Sequence, residues 1–187
     1  MDNYNRHERQ IILKVTDDAI KFGLEKHQIL LLKIEDYPKK LRLFGASFVT
    51  LEINKQLRGC IGTLEAYQPL IQDVAQNAYA AAFRDPRFSP LTSEEYSKIT
   101  KHISVLSKPS PISFKSEEDL LEQIRLGIDG LILTDQGGHR STFLPAIWES
   151  LPKPKLFLQH LKLKAELSPE YWSTTLTIER YTVEVIE

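Results

Sequence analysis

The chain of 187 residues contains very little cysteine and no long apolar run. Its one cysteine, Cys60, excludes an internal disulfide and a metal site built from several cysteines, and it suits a reducing compartment. No stretch approaches the roughly 20 consecutive apolar residues that span a bilayer. The polar N-terminal sequence MDNYNRHERQ has no apolar segment of the signal-peptide type. These absences predict a cytoplasmic protein without a membrane anchor.

An excess of charge of either sign is also missing, because 24 basic residues are balanced by 25 acidic ones. Without a basic excess, the composition argues against a nucleic-acid partner. The five histidines show no metal-ligand spacing, and the chain has no glycine-rich phosphate loop, HExxH motif or GxSxG elbow. The sequence therefore predicts neither a metal site nor a cofactor.

The stretch LRGCIGT, residues 57–63, combines the single cysteine with two of the eight glycines. Residues 46–53 before it alternate between apolar and polar side chains, as a half-buried strand does, and residues 54–56 form a short polar turn. A second strand would return antiparallel through LRGCIGT. Strand alternation then predicts two faces: Arg58, Cys60 and Gly62 on one, and Leu57, Gly59, Ile61 and Thr63 on the other.

Cys60 is the candidate nucleophile. A free thiol is only a few per cent ionised at neutral pH, and a guanidinium two residues along the strand, about 6.7 Å away, would favour the thiolate. Arg58 is therefore its predicted charge partner, and His139, beside the Gly137–Gly138 turn, its predicted base. The alternative is that Cys60 is a buried small hydrophobe, as many free cysteines are.

The sequence DPRF, residues 85–88, offers a second candidate site. Guanidinium groups match carboxylates and phosphates bidentately, so Arg87 could bind an anion together with Arg58 and Arg140. In the alternative, Asp85 and Arg87 form a local pair that caps the preceding helix, while Phe88 fills the core. The full predicted substrate-binding set is Arg58, Gly59, Gly62, Thr63, Asp85, Arg87 and Arg140.

Helical and strand patterns alternate along the rest of the chain. The fold class predicted is α/β or α+β, with a mixed, largely antiparallel sheet and flanking helices in one domain over residues 1–187. Helices are expected at residues 6–26, from Pro69 onward, from Thr92 onward, at 117–126 and at 156–165. Further strands are expected at 103–106, 128–133, 140–144 and 175–186.

Several of these motifs occur in an order that resembles the AMMECR domain family. The resemblance begins with LRGCIGT and continues through DPRF, LTSEE, ISVL, GIDG and FLP, so that it covers nearly the whole chain. It implies an α/β fold with a larger and a smaller lobe and no firmly established activity. The chain also resembles the first component of the bacterial and archaeal AmmeMemoRadiSam gene set. This resemblance implies a functional association with Memo-like and radical SAM proteins.

Two functional hypotheses remain open at the level of sequence. In the first, the protein is an enzyme or enzyme component acting on a small anionic or aromatic metabolite. Its cleft would be floored by LRGCIGT and rimmed by DPRF and residues 137–145. In the second, the same cleft belongs to a non-catalytic module that binds a ligand or a partner protein.

Overall fold

The computed structural model describes residues 3–187, which form two compact units. The first comprises residues 3–106 with 184–187, and the second residues 107–183. The helices are α1 (Arg6–Lys26), α2 (Leu70–Phe83), α3 (Ser93–Tyr96), α4 (Glu117–Gln123) and α5 (Pro154–Lys164). The strands are β1 (Ser47–Ile53), β2 (Gln56–Gly62), β3 (Ile99–Leu106), β4 (Ser110–Ile112), β5 (Gly130–Thr134), β6 (Arg140–Phe143), β7 (Thr177–Tyr181) and β8 (Val183–Ile186).

These elements confirm the α+β class and the antiparallel character that the sequence predicts. The strands are divided between two four-stranded sheets, ordered β2-β1-β3-β8 and β4-β7-β5-β6. The predicted terminal strand 175–186 is accordingly two strands. They separate at Thr182, whose carbonyl accepts from the Ser107 N–H and whose N–H donates to Ser107 Oγ.

In the first unit, α1 and α2 contribute with the first sheet to one apolar core. The first helix has the predicted bounds, and its N-terminus is closed by a capping box between Asn5 and Glu8. The alternation in β1 places Val49 and Leu51 in the core, while Thr50 between them is only partly buried. The period-two pattern in the sequence therefore identifies the buried face of this strand correctly.

The predicted hairpin of β1 and β2 is present, and it turns at Asn54 and Lys55, both with positive φ, 52° and 62°. A shift in register then pairs Leu57 with Glu52, whereas Gly59 pairs with Leu51. Because residues directly opposite in a sheet share a face, Leu57 lies on the face of Cys60. The predicted position of Leu57 is wrong, since the extra residue of a bulge breaks strict alternation.

The second unit has a separate apolar core between its sheet and its helices. The aromatic part of this core is a stacked pair, Trp148 on Phe157, with ring centroids 3.8 Å apart. The Trp148 indole N–H donates to the Asp129 carbonyl at 2.7 Å, which satisfies its one polar atom. Across residues 3–187, the structure contains no helix with the length and apolarity needed to cross a membrane.

We predict that Gly59→Ala destabilises the protein by about 3 kcal/mol, the upper end of the usual cost of overpacking. The reason is that an added Cβ would lie 2.1 Å from the Ala81 carbonyl oxygen of α2, where backbone must move. Gly127→Ala is the control, because within residues 3–187 no atom beyond its two chain neighbours lies within 4 Å of its Cβ position, and only its φ of 72° opposes alanine. That change should cost about 1 kcal/mol. Urea unfolding followed by circular dichroism measures both, and equal losses would contradict the prediction.

Candidate functional site

Cys60 lies on the outer face of the first sheet, opposite the face that packs on the helices. It pairs with Thr50, and its Sγ is 3.2 Å from the Thr50 hydroxyl oxygen. The residue is partly exposed, whereas Gly59 beside it is buried against α2. The sulfur is therefore not part of the hydrocarbon core of the first unit.

Both glycines of LRGCIGT are explained by close packing. A side chain at Gly59 would meet the backbone of α2, as described above. A Cβ at Gly62 would lie 2.2 Å from the ring of Phe48, which is its cross-strand neighbour. Of the reasons for which a strand needs glycine, close approach of protein atoms thus applies at both positions.

The backbone N–H and carbonyl of Cys60 are held by two side chains of DPRF. Strand β2 is at the edge of its sheet, so one side of its backbone has no strand partner. On that side Asp85 Oδ2 accepts from the Cys60 N–H at 2.8 Å, and Arg87 Nη2 donates to the Cys60 carbonyl at 3.2 Å. Asp85 and Arg87 are themselves paired at 2.7 Å. The predicted local pair therefore exists, but it fixes Cys60 rather than capping α2.

We call Asp85 and Arg87 the clamp on Cys60. The electrostatics of the clamp favour the ionised form of the Asp85 carboxyl group. The hydrogen bonds from the Arg87 side chain, together with those from the Cys60 and Arg87 backbone, hold the pKa of Asp85 well below its usual range, although burial opposes the shift. The Asp85 side chain is only 2% exposed, whereas that of Arg87 is 53% exposed. The buried carboxylate is thus compensated on every side, and the guanidinium remains accessible.

Arg58 makes a second ion pair, with Glu95 of α3. Its Nε and Nη2 donate to the two carboxylate oxygens at 2.8 and 2.9 Å, and Nη2 also donates to the Ser89 carbonyl. Its charge, for which Cys60 was the predicted partner, is therefore largely balanced by Glu95. The remaining nitrogen, Nη1, is buried and has no hydrogen-bond partner in the part of the chain that the structure describes.

Phe88 is close to both guanidinium groups. Its ring centroid is 5.7 Å from Arg58 Cζ and 5.5 Å from Arg87 Cζ, both within the range of a cation–π contact. It is partly buried and does not belong to the apolar core of the first unit. The aromatic ring of DPRF thus links the two ion pairs.

Thr63 closes the motif by binding a buried carboxylate. Its hydroxyl donates to Asp73 Oδ1 at 2.7 Å, while the backbone and hydroxyl of Ser47 donate to Oδ2. Burial raises the pKa of Asp73, although these hydrogen bonds oppose that shift. The contact joins the residue that follows β2 to the first turn of α2.

Two of the predicted site residues belong to the second unit. His139 Nδ1 is 2.9 Å from the Ala165 carbonyl oxygen, and Arg140 begins β6, where it pairs with Thr134 of β5. Within the first unit, the structure brings together Arg58, Cys60, Asp85 and Arg87. No group of three or more His, Cys, Asp or Glu side chains in residues 3–187 is arranged to hold a metal ion.

His102, which the sequence patterns did not indicate as a site residue, lies in β3 directly across from Thr50. Thr50 thus has Cys60 on one side and His102 on the other, all on the outer face. His102 Nδ1 is 2.8 Å from Glu187 Oε2, and Nε2 is 3.7 Å from Glu52 Oε2. Extending the alternation of Ile103 and Val105 back along the strand would have placed this histidine on the outer face.

These features define an α+β protein with two antiparallel sheets and a cysteine-containing edge strand fastened by arginine–carboxylate pairs. The AMMECR1 family profile matches residues 13–186. The chain belongs to the AMMECR1 family, as the order of its motifs predicts.

The similarity to individual relatives extends over most of each chain. Protein MJ0810 of Methanocaldococcus jannaschii is 36% identical over 162 residues, which cover 82% of this chain and 78% of the relative. Protein LS215_2104 of Saccharolobus islandicus is 38% identical over 186 residues, 95% of this chain and 80% of the relative. The crystal structure of the uncharacterised protein PH0010 from Pyrococcus horikoshii is 28% identical and superimposes with a TM-score of 0.80, covering 93% of this chain and 88% of that one.

We predict that the folding stability of Glu95→Gln depends less on pH in the acid range than that of the wild type does. The hydrogen bond from Arg58, and then that from the Thr92 N–H, lower the pKa of Glu95 from 4.5 to about 2. Because the folded pKa is the lower one, the ion pair stabilises the fold above about pH 4.5, and this contribution is lost as the pH falls toward 2.

The melting temperature of the wild type should therefore fall more steeply than that of Glu95→Gln over this range. Glu94→Gln is the matched control, because Glu94 is exposed and none of the ion pairs described for residues 3–187 involves it. It should behave as the wild type does. Parallel curves for the wild type and Glu95→Gln would show that the pair does not stabilise the fold.

Proposed function

We propose that the protein is an enzyme, or a component of one, in which the Cys60 thiol acts on a small anionic or aromatic metabolite. The observation that carries this proposal is the clamp on Cys60, whose N–H and carbonyl are both bound by side chains. A nucleophile gains most from being held in a fixed position. The thiol itself is left on the outer face, where the Thr50 hydroxyl is hydrogen-bonded to it.

His102 is the acid–base residue that the proposal assigns to this thiol. Its Nδ1 is bound by Glu187, which orients the ring and leaves Nε2 as the basic nitrogen. Nε2 lies 3.7 Å from Glu52 Oε2, beyond hydrogen-bond distance. The thiol proton would reach it by way of the Thr50 hydroxyl, since Thr50 pairs with both Cys60 and His102. His139 remains the second candidate for this role.

Arg87 is the residue assigned to an anionic substrate. Its bonds to Asp85 and to Cys60 use Nε and Nη2, so Nη1 of this half-exposed side chain is left to bind the substrate. An anion held there would lie next to the Cys60 peptide. Arg140 stays a proposed contact, and the reduced thiol that this chemistry requires agrees with the predicted cytoplasmic location.

We predict that iodoacetamide alkylates Cys60 at least tenfold faster in the native protein than in the urea-unfolded chain at pH 7. The chain has one cysteine, so intact-mass spectrometry reports this residue alone. An unfolded thiol is only a few per cent ionised at this pH, so faster labelling requires activation by the fold.

His102→Gln should bring the native rate down toward that of the unfolded chain. His139→Gln is the matched control, and a loss of rate in that variant instead would transfer the role of base to His139. A native thiol that reacts more slowly than the unfolded one would contradict the nucleophilic role and favour a binding function.

A binding module is the second candidate, and three exposed apolar side chains favour it. Leu43, Phe44 and Tyr67 are 64%, 65% and 58% exposed. Backbone hydrogen bonds join residues 43–45 to residues 68–70, so the three residues belong to two neighbouring segments of the surface. Exposed apolar clusters of this kind mark protein-interaction surfaces. The Memo-like and radical SAM proteins implied by the family resemblance are the proposed partners.

For this second function we predict that Leu43→Ser combined with Phe44→Ser lowers affinity for a Memo-like protein at least tenfold, as measured by biolayer interferometry. Leu31→Ser is the control, because Leu31 is another leucine of the first unit and is 81% exposed. Cys60→Ala should leave this affinity nearly intact. Absence of binding by the wild type to either kind of partner would exclude the second function.

A further inference from the structure

A groove in the second unit lies outside everything assigned above. It has a volume of about 460 Å³ and is formed by residues 111–115, which run from β4 toward α4, and by residues 172–174, 176 and 177, which lead into β7. We call it the aromatic groove. Its volume is that of an ordinary small-molecule site.

Two aromatic rings form its apolar wall. The centroids of Phe114 and Trp172 are 5.4 Å apart and their planes are tilted by 56°. The ammonium group of Lys162 lies 5.5 Å from the centroid of the Trp172 ring. The Lys162 side chain is fully buried, and its Nζ is bound to Glu117. Trp172 nevertheless remains 37% exposed, so a fixed indole surface is available for stacking.

The charge that lines the groove is positive. Lys115 is the only charged residue that lines it, and none of the ion pairs described for residues 3–187 involves its ammonium group. The backbone N–H of Lys115 binds Asp119, but that contact leaves the side chain free to turn toward a ligand. An aromatic wall beside a single cation matches an aromatic ring that carries a carboxylate.

The backbone at the groove argues against a peptide added as a further strand. Strand β4 is at the edge of its sheet, and its central residue is Pro111. Proline has no N–H to donate, and Pro109 removes a second donor on the same side of the strand. Recognition at this place must therefore come from side chains, which suits a small molecule.

From the fixed indole, the unpaired cation and the strand edge without donors, we infer that the aromatic groove binds a small aromatic carboxylate. The ring would stack on Trp172 and contact Phe114, and the carboxylate would pair with Lys115. This site is independent of the function proposed for Cys60.

The test is titration of the full chain with phenylacetate, followed by tryptophan fluorescence. The second tryptophan, Trp148, is 5% exposed in the core, so a saturable change should come from Trp172. Phenylacetamide has the same ring without the charge and should bind at least tenfold more weakly. Lys115→Met should weaken phenylacetate binding at least tenfold, and Trp172→Phe should abolish the fluorescence change.

Lys108→Met is the matched control, because Lys108 is exposed in the same unit and does not line the groove. It should bind phenylacetate as the wild type does. Cys60→Ser should also bind normally, which separates this site from the thiol. Equal affinity for phenylacetate and phenylacetamide, an unchanged affinity in Lys115→Met, or no saturable binding by the wild type would each overturn the inference.

Discussion

The arrangement around Cys60 depends on two arginine–carboxylate pairs at the edge of the first sheet. Asp85 and Arg87 supply to the Cys60 peptide the donor and acceptor that a neighbouring strand would give, and Arg58 fastens the adjacent residue to Glu95. Glu95 is partly exposed and Asp85 is buried. Losing the arginine partner of either carboxylate would therefore leave an uncompensated charge near the strand. The cysteine position is therefore set by side chains from outside the sheet.

Local patterns in the sequence predicted the framework of the first unit well. The bounds of α1, the hairpin, and the start of α3 at Thr92 all follow from spacings within a few residues. The bulge at Arg58 and the division of the last predicted strand at Thr182 did not follow, because each is decided by a partner distant in the chain. Periodicity reports which face is buried and says nothing about such partners.

The candidate site shows the same division between local and distant information. Spacing placed Arg58 near Cys60, but the bond of Arg58 to Glu95 crosses 37 positions, and no local rule chooses that acceptor over a thiol. His102 was missed because its importance comes only from the pairing of Thr50 with both β2 and β3. A histidine in an unpaired strand carries no such signal, so the row of side chains could be recognised only in the folded sheet.

The bare backbone contact between Gly59 and Ala81 has a mechanical consequence. Elsewhere, a helix and a sheet are separated by side chains that can change rotamer and absorb small displacements. Here the Ala81 carbonyl lies directly against the strand at Gly59, one residue before Cys60, with no side chain between them. A shift of α2 would therefore act directly on the backbone that carries the thiol.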